Sequence, residues 1–189
     1  VQLKKMGSLL VAFSGGADST YLLKVASQEI SREKLLAVTA SSPLFQKEEL
    51  MSARRWAREF DIRHRVIQTR ELLNRRFSAN PADRCYHCKK ELFARLQGIA
   101  RRSGLNFVVD ASTVSDAADF RPGSIAKKEL GVRSPLAEAG FRKADVRRFS
   151  RILGLQTWDK PSQACLASRL PYGEKISLNV LKQISQAEE

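Results

Sequence analysis

The chain has no apolar run approaching the roughly 20 residues that a membrane-spanning helix needs. Its opening stretch VQLKKMGSLLVAF leads straight into a glycine-rich loop and does not read as a signal peptide. Both absences point to a cytoplasmic protein with no membrane partner. Cysteine is scarce: Cys85, Cys88 and Cys165 make an odd number in a chain without an export signal, which argues against a disulfide framework. No internal repeat or low-complexity tract interrupts the chain. Acidic residues are short as well, 20 against 33 basic, leaving a net charge of +13. Such an excess attracts polyanions, whether nucleotides, nucleic acid or acidic membrane surfaces, without choosing among them. The basic segments ARRWAREFDIRHR (53–65) and GFRKADVRRFSR (140–151) read equally well as solvated helix faces. Neither interleaves aromatics as a base-stacking surface would.

What is present suits one well-buried domain: 189 residues, 43% hydrophobic and 28% charged, far from disordered composition. Strand and helix signals alternate, the signature of an α/β protein with a parallel sheet covered by helices on both faces. Strands are expected at 8–13 (SLLVAF), 35–40 (LLAVTA), more weakly at 64–67, and at 105–110 (LNFVVD). Helices are expected over 18–30, 47–60, from residue 71, from the Cys-x-x-Cys segment to about 102, near 124–130 and 143–153, and after a Pro-Tyr-Gly hinge at 171–173.

The most informative loop is SGGADS, Ser14 to Ser19, between the first strand and first helix. There, exposed backbone amides and the positive end of the helix dipole converge on one spot, which suits phosphate. Gly15 and Gly16 permit close backbone approach, Ser14 and Ser19 add hydroxyls, and Asp18 can cap the helix or help hold magnesium. The pattern is neither G-x-x-x-x-G-K-[ST] nor G-x-G-x-x-G, which disfavours kinase-type and dinucleotide loops. Asp110, at a strand's carboxyl end, is a second candidate for magnesium and equally a turn cap. A close cysteine pair plus a distant third suggests metal, redox or sulfur chemistry.

SGGADS resembles the PP-loop signature S-G-G-x-D-S of the ATP pyrophosphatases. The later motifs RCYHCKKELF, DFRPG, GVRSPL and PSQACLASRLPYG are similar in order and spacing to those of the LarE sulfur transferases. The resemblance implies a PP-loop, HUP/Rossmann-like domain over 1–172 and the start of a truncated C-terminal segment at 173–189. It also implies ATP cleavage to AMP and pyrophosphate with magnesium, and adenylation of a carboxylate on a pyridinium mononucleotide, the small-molecule partner, in nickel-pincer nucleotide biosynthesis. Sulfur is then installed. In one branch Cys165 gives up its own sulfur; in the other it joins Cys85 and Cys88 to hold a 4Fe-4S cluster whose open iron carries sulfide. The three cysteines favour the cluster branch, so Cys165 is both the catalytic candidate and a cluster ligand. Arg133, Ser134, Ser168 and Arg169 become candidates for phosphate or carboxylate binding. Family members also make oligomer contacts, so a homo-oligomer is expected.

Other readings remain open at this point. They are a zinc site using His87, a redox dithiol at Cys85 and Cys88, a tRNA thiolase whose RNA partner would suit the charge, and a non-catalytic ATP-binding protein. Ala111 and Ser112 stand where the family commonly shows a D-G-T-N type of sequence.

Overall fold

The computed structural model describes residues 2–117 and 122–188. Of the DFRPG motif, Asp119, Phe120 and Arg121 lie outside the described residues. Among those described, the strands are β1 (Leu9–Ala12), β2 (Leu35–Ser41), β3 (Arg63–Gln68) and β4 (Phe107–Val109). They form one parallel sheet in the order β3-β2-β1-β4, with Leu9 of β1 opposite Leu35 of β2 and Phe107 of β4. The helices, in chain order, are α1 (Gln2–Met6), α2 (Ala17–Glu29), α3 (Lys47–Glu59), α4 (Arg75–Ser78), α5 (Arg84–Arg102), α6 (Pro122–Glu129), α7 (Pro135–Glu138), α8 (Lys143–Ile152) and α9 (Leu178–Glu188).

Period-2 alternation explains why both sheet faces are covered. Leu9 and Val11 of β1, with Leu35 and Ala37 of β2, pack with Leu22, Leu23, Trp56 and Val146 from α2, α3 and α8. Leu10, Leu36, Val38 and Val108 point the other way, onto Phe93, Leu96 and Ile99 of α5. Leu9, Leu10 and Val11 are fully buried, so the run that reads as a buried strand is the centre of the sheet. A third apolar cluster gathers Leu44, Phe77, Leu166, Ala167, Ile176 and Leu181, with Cys88 and Cys165 packed against it.

The strand order reverses between β1 and β4, and in open parallel sheets the crevice beyond the strand ends at such a point is where ligands bind. β1 delivers Ser14 there and β4 delivers Asp110. Arg133 extends the sheet by one residue, its backbone bridging Val109 in parallel fashion and pairing with Val108 and Asp110.

Three elements differ from expectation. The helix expected from residue 71 is a 3-10 turn, Glu71–Leu73, followed by the one-turn α4. Asn74 interrupts the run by accepting the amide of Arg76 on its side chain at 3.0 Å. The strand at 105–110 shortens to Phe107–Val109 because the Asn106 amide is drawn to Ser8 Oγ at 2.9 Å. The last cysteine motif, expected as loop, contains a 3-10 turn, Leu166–Arg169.

Candidate functional site

The loop after β1 is held by its own short side chains. Ser14 Oγ and Ser19 Oγ lie 3.0 Å apart, the Gly16 amide donates to Ser14 Oγ at 3.3 Å, and Ser19 Oγ donates to the Gly16 carbonyl at 3.2 Å. First-turn amides of an α-helix have no acceptor within it, and Gly16 has no side chain to cap those of α2. Dipole and open donors therefore meet where the sequence placed a phosphate. Asp18 is half-buried in that first turn, and a carboxylate at this position suits a hard cation.

Gly15 is required for a reason the sequence did not show. Its φ is +77°, and a Cβ there would come within 2.8 Å of the Ala53 backbone nitrogen in α3. The loop is thus pinned between β1 and α3. Its carbonyl also accepts from Ser52 Oγ at 3.5 Å and Lys160 Nζ at 3.4 Å. Lys160 was not singled out in the sequence; only its place beside PSQAC hinted at it. Nearby, burial pushes the Glu49 carboxyl up while Lys160 pulls it down.

A cleft of about 330 Å³ is lined by Leu44, Phe45, Glu49, Gln163, Ala164 and Arg169 among others, and its wall residue Pro161 follows Lys160, the lysine that reaches the loop. The PSQAC motif forms one wall, so Cys165 follows directly from residues that line the cleft. Ser168 Oγ receives Arg169 Nη1 at 2.9 Å, while Arg169 Nε pairs with Glu188 at 2.6 Å. Arg133 is likewise held, by two bonds to Glu138 at 2.7 and 2.6 Å. Both ion pairs are partly exposed and such pairs contribute only about 0–1 kcal/mol. An incoming phosphate can take either guanidinium at small cost.

Asp110 sits in a denser network. Lys127 Nζ lies 2.8 Å from its Oδ2, Ser112 Oγ donates to Oδ2 at 2.8 Å, and Ser134 Oγ donates to Oδ1 at 2.6 Å. Lys127 and Asp110 side chains are only 16% and 15% exposed. With its carboxylate committed to a lysine and two hydroxyls, Asp110 orders the β4 loop and fixes Ser134. This favours the turn-holding reading over the magnesium one.

The structure brings the three cysteines into one region. Cys85 and Cys88 lie in the first turns of α5, and Cys165 starts the Leu166–Arg169 turn. Cys88 and Cys165 pack against the same apolar cluster. Burial pushes Cys88 up to about 12, with Glu71, Cys165 and Cys85 adding to the rise and Lys89 opposing it. Cys165 is also raised, first by burial and then by Cys85, with Arg84, the Ser168 amide and Lys89 opposing. Metal-free Cys88 and Cys165 are therefore protonated at neutral pH, and any metal or sulfur nucleophile formed on them must displace protons. His87 is engaged elsewhere, 3.4 Å from Asp83. Among the described residues no group of three His, Cys, Asp or Glu side chains is already set at metal-holding geometry. Three sulfurs are a donor set that an iron-sulfur cluster or zinc can use.

Two residues that the sequence reading passed over join these loops. Asn80, fully buried with φ +56°, donates from Nδ2 to the Pro171 carbonyl at 2.7 Å and accepts Arg84 Nη1 on Oδ1 at 2.6 Å. Arg84 also lies over the Tyr172 ring at 4.7 Å. The Asn-Pro pair at 80–81 is a turn signal, but nothing local marks its distant partner.

No protein-family model matches the chain. The chain is 46% identical over 179 residues to an uncharacterized protein of Synechocystis sp., covering 95% of this chain and 66% of that protein. It is 37% identical over 187 residues to the pyridinium-3,5-bisthiocarboxylic acid mononucleotide synthase of Lactiplantibacillus plantarum, covering 99% of this chain and 68% of the enzyme. The chain thus spans about two thirds of the length of these curated relatives. Among solved structures, it superposes on the NMN synthetase from Francisella tularensis with a TM-score of 0.66 at 15% identity, over 97% of this chain and 86% of that one. At that identity the likeness shows the fold alone.

Proposed function

Since the chain belongs to the LarE family, we propose that it is an ATP-dependent sulfur transferase that activates a carboxylate of a pyridinium mononucleotide as its adenylate and replaces the AMP with sulfur. One observation carries this reading: Lys160, at the head of the segment that leads into the Cys165 motif, reaches the Gly15 carbonyl of the glycine-rich loop at 3.4 Å, so the loop and the cysteine motif are neighbours in the fold. Activation and sulfur delivery can then act on one bound substrate.

The chemistry follows from what these groups can do. A carboxylate oxygen attacks the α-phosphorus of ATP, forming an acyl-adenylate and releasing pyrophosphate. The α2 amides, Ser14, Ser19 and Lys160 hold and neutralise the phosphates, and Asp18 would help hold magnesium on them. A hydrosulfide held at Cys165 then adds to the acyl carbon and AMP leaves, giving the thiocarboxylate; if the Cys165 thiolate itself adds, AMP leaves from a thioester, and the thiocarboxylate is released when the Cβ–S bond breaks with loss of the α proton, leaving dehydroalanine. Holding both partners at neighbouring loops would supply much of the rate by positioning. Cys85, Cys88 and Cys165 would hold a 4Fe-4S cluster, which would supply sulfide for transfer. Through the relative from Lactiplantibacillus plantarum, whose name is that of a bisthiocarboxylic acid mononucleotide synthase, we assign the product to nickel-pincer nucleotide biosynthesis.

The test supplies ATP, magnesium and a pyridinium-carboxylate mononucleotide to anaerobic protein, and measures pyrophosphate and thiocarboxylate mass together. Formation of both supports the proposal. Pyrophosphate released only with tRNA present, or none with the mononucleotide, overturns it. Cys165→Ala should yield no sulfur product, and Gly15→Ala no pyrophosphate either.

A further inference from the structure

We infer that Arg84 builds an anion site beside the Cys165 sulfur, one that holds the negatively charged sulfur species handled there. Its meaning rests on the sulfur-transfer reading above, but its test does not. Arg84 is 6% exposed, and its Nε has no hydrogen-bond partner. A buried charged donor without an acceptor is unfavourable, and here the surroundings immobilise the group rather than satisfy it. Nη1 is taken by Asn80 Oδ1 at 2.6 Å and the guanidinium face lies 4.7 Å from the Tyr172 ring centre. Asn80 and Tyr172 thereby fix the plane and leave one donor open.

The open donor stands in the cysteine region: Arg84 directly precedes Cys85 on α5, its anchor Asn80 bonds Pro171 in the loop after the Cys165 motif, and Cys165 packs against the cluster that holds Phe77, three residues before Asn80. The buried carboxylate of this region, Glu71, acts on Cys88. Arg84 and Lys89, both on α5 with Cys85 and Cys88, therefore make a cationic corner of the cysteine region. Guanidinium groups bind small anions by directed N–H donors as well as by charge. A hydrosulfide or thiocarboxylate anion brought to Cys165 is the acceptor that Nε lacks. Arg84 is on this view a positioning residue: it does not react, but it keeps an anion against the reacting sulfur.

Two alkylating reagents of one size and opposite charge state read the site directly. Iodoacetate is an anion and iodoacetamide is neutral, and both are displaced by the same thiolate. The ionised fraction of Cys165 cancels in the ratio of their rates, so the ratio reports only the charge met on approach. The ratio is measured on the full metal-free chain at one pH, resolved at Cys165 by peptide mass spectrometry, with N-acetylcysteine as reference. The native chain should favour iodoacetate about fivefold more than N-acetylcysteine does. Arg84→Gln should bring the ratio back to the reference, while Lys89→Gln leaves most of it. A native ratio equal to the reference overturns the inference, with no variant needed if Arg84→Gln does not fold. So does a ratio that follows Lys89 instead. Because neither ATP nor acceptor is present, failure here is separate from failure of the sulfur-transfer reading.

Discussion

The side-chain amide of Asn80 donates to the carbonyl oxygen of Pro171 at 2.7 Å, joining the loop before the Cys-x-x-Cys helix to the segment just after the Cys165 motif. The Gly173 amide returns the tie by donating to the Asn80 carbonyl at 2.9 Å, and Ile176 bonds the Ser78 carbonyl at 2.8 Å. Three bonds between residues remote in sequence thus set how close the cysteines come.

Asn80→Ala should therefore loosen the cysteine region as well as destabilise the fold. It removes two side-chain bonds from a fully buried site and strands Arg84 Nη1, a loss of about 2–3 kcal/mol. The positive φ adds roughly 1 kcal/mol for alanine but not for glycine. Denaturant titration should accordingly rank native above Asn80→Gly above Asn80→Ala. Cys165 should alkylate faster in both variants.

Gly15→Ala tests the phosphate loop. The new methyl would sit 2.8 Å from a backbone atom of α3, which cannot swing aside as a side chain could. The loop must shift, so ATP affinity should fall at least tenfold, equivalent to about 1.4 kcal/mol. Calorimetric titration of ATP decides this, and unchanged affinity would mean that nucleotide does not touch the loop.

The parts of the molecule legible beforehand are those coded by neighbours in sequence. LLVA between polar flanks followed by SGGADS announces a buried strand, a tight loop and a helix, and all three stand where expected. RCYHC likewise opens α5, though the longer helix expected from residue 71 broke at Asn74, whose side chain competes for backbone amides. What stayed hidden depends on residues far apart in the chain. Arg84 looked like one more basic residue in a basic protein until the fold buried it. Asp110 gave no sign that Lys127 would occupy its carboxylate. Arg133 and Arg169 were read as anion binders from motif membership, and their partners Glu138 and Glu188 emerged only from the packing.

The Asp110–Lys127 pair should be costly to break singly and cheaper to remove whole. Removing one member leaves a part-buried charge uncompensated, at about 3 kcal/mol. Lys127→Met and Asp110→Asn should each approach that loss, while the double variant falls well short of their sum. An additive double-mutant cycle would show that Ser112 and Ser134, not the ion pair, hold this loop.

His64 predicts an acid limb of stability. Burial holds its imidazole below the ordinary value near 6.5, with Arg54 adding to the effect. In the native state its Nε2 shares a 2.8 Å hydrogen bond with Thr39 Oγ1. The unfolded chain takes up a proton that the folded one resists, so the stabilisation is complete above pH about 6.5 and is lost as pH falls through the lowered value. Denaturant midpoints measured from pH 8 to pH 5 should decline in the native chain and flatten over that window in His64→Gln. A decline identical in both would place the acid sensitivity elsewhere.

The cysteine trio predicts a metal content that separates its two chemical uses. If the three sulfurs act together, anaerobic reconstitution should give about four irons per chain with matching acid-labile sulfide. Cys165→Ala should then lose them, because two ligands on one helix turn cannot enclose a cluster alone. Protons must leave for this to happen, since Cys88 is held up to about 12 and Cys165 is raised as well. Cluster formation should therefore be faster at pH 8.5 than at pH 6.5. Negligible iron in reconstituted protein that still turns over ATP would leave Cys165 to give up its own sulfur. Mass spectrometry would then find that residue lighter by about 34 Da after one turnover, the mass of the hydrogen sulfide lost when cysteine becomes dehydroalanine.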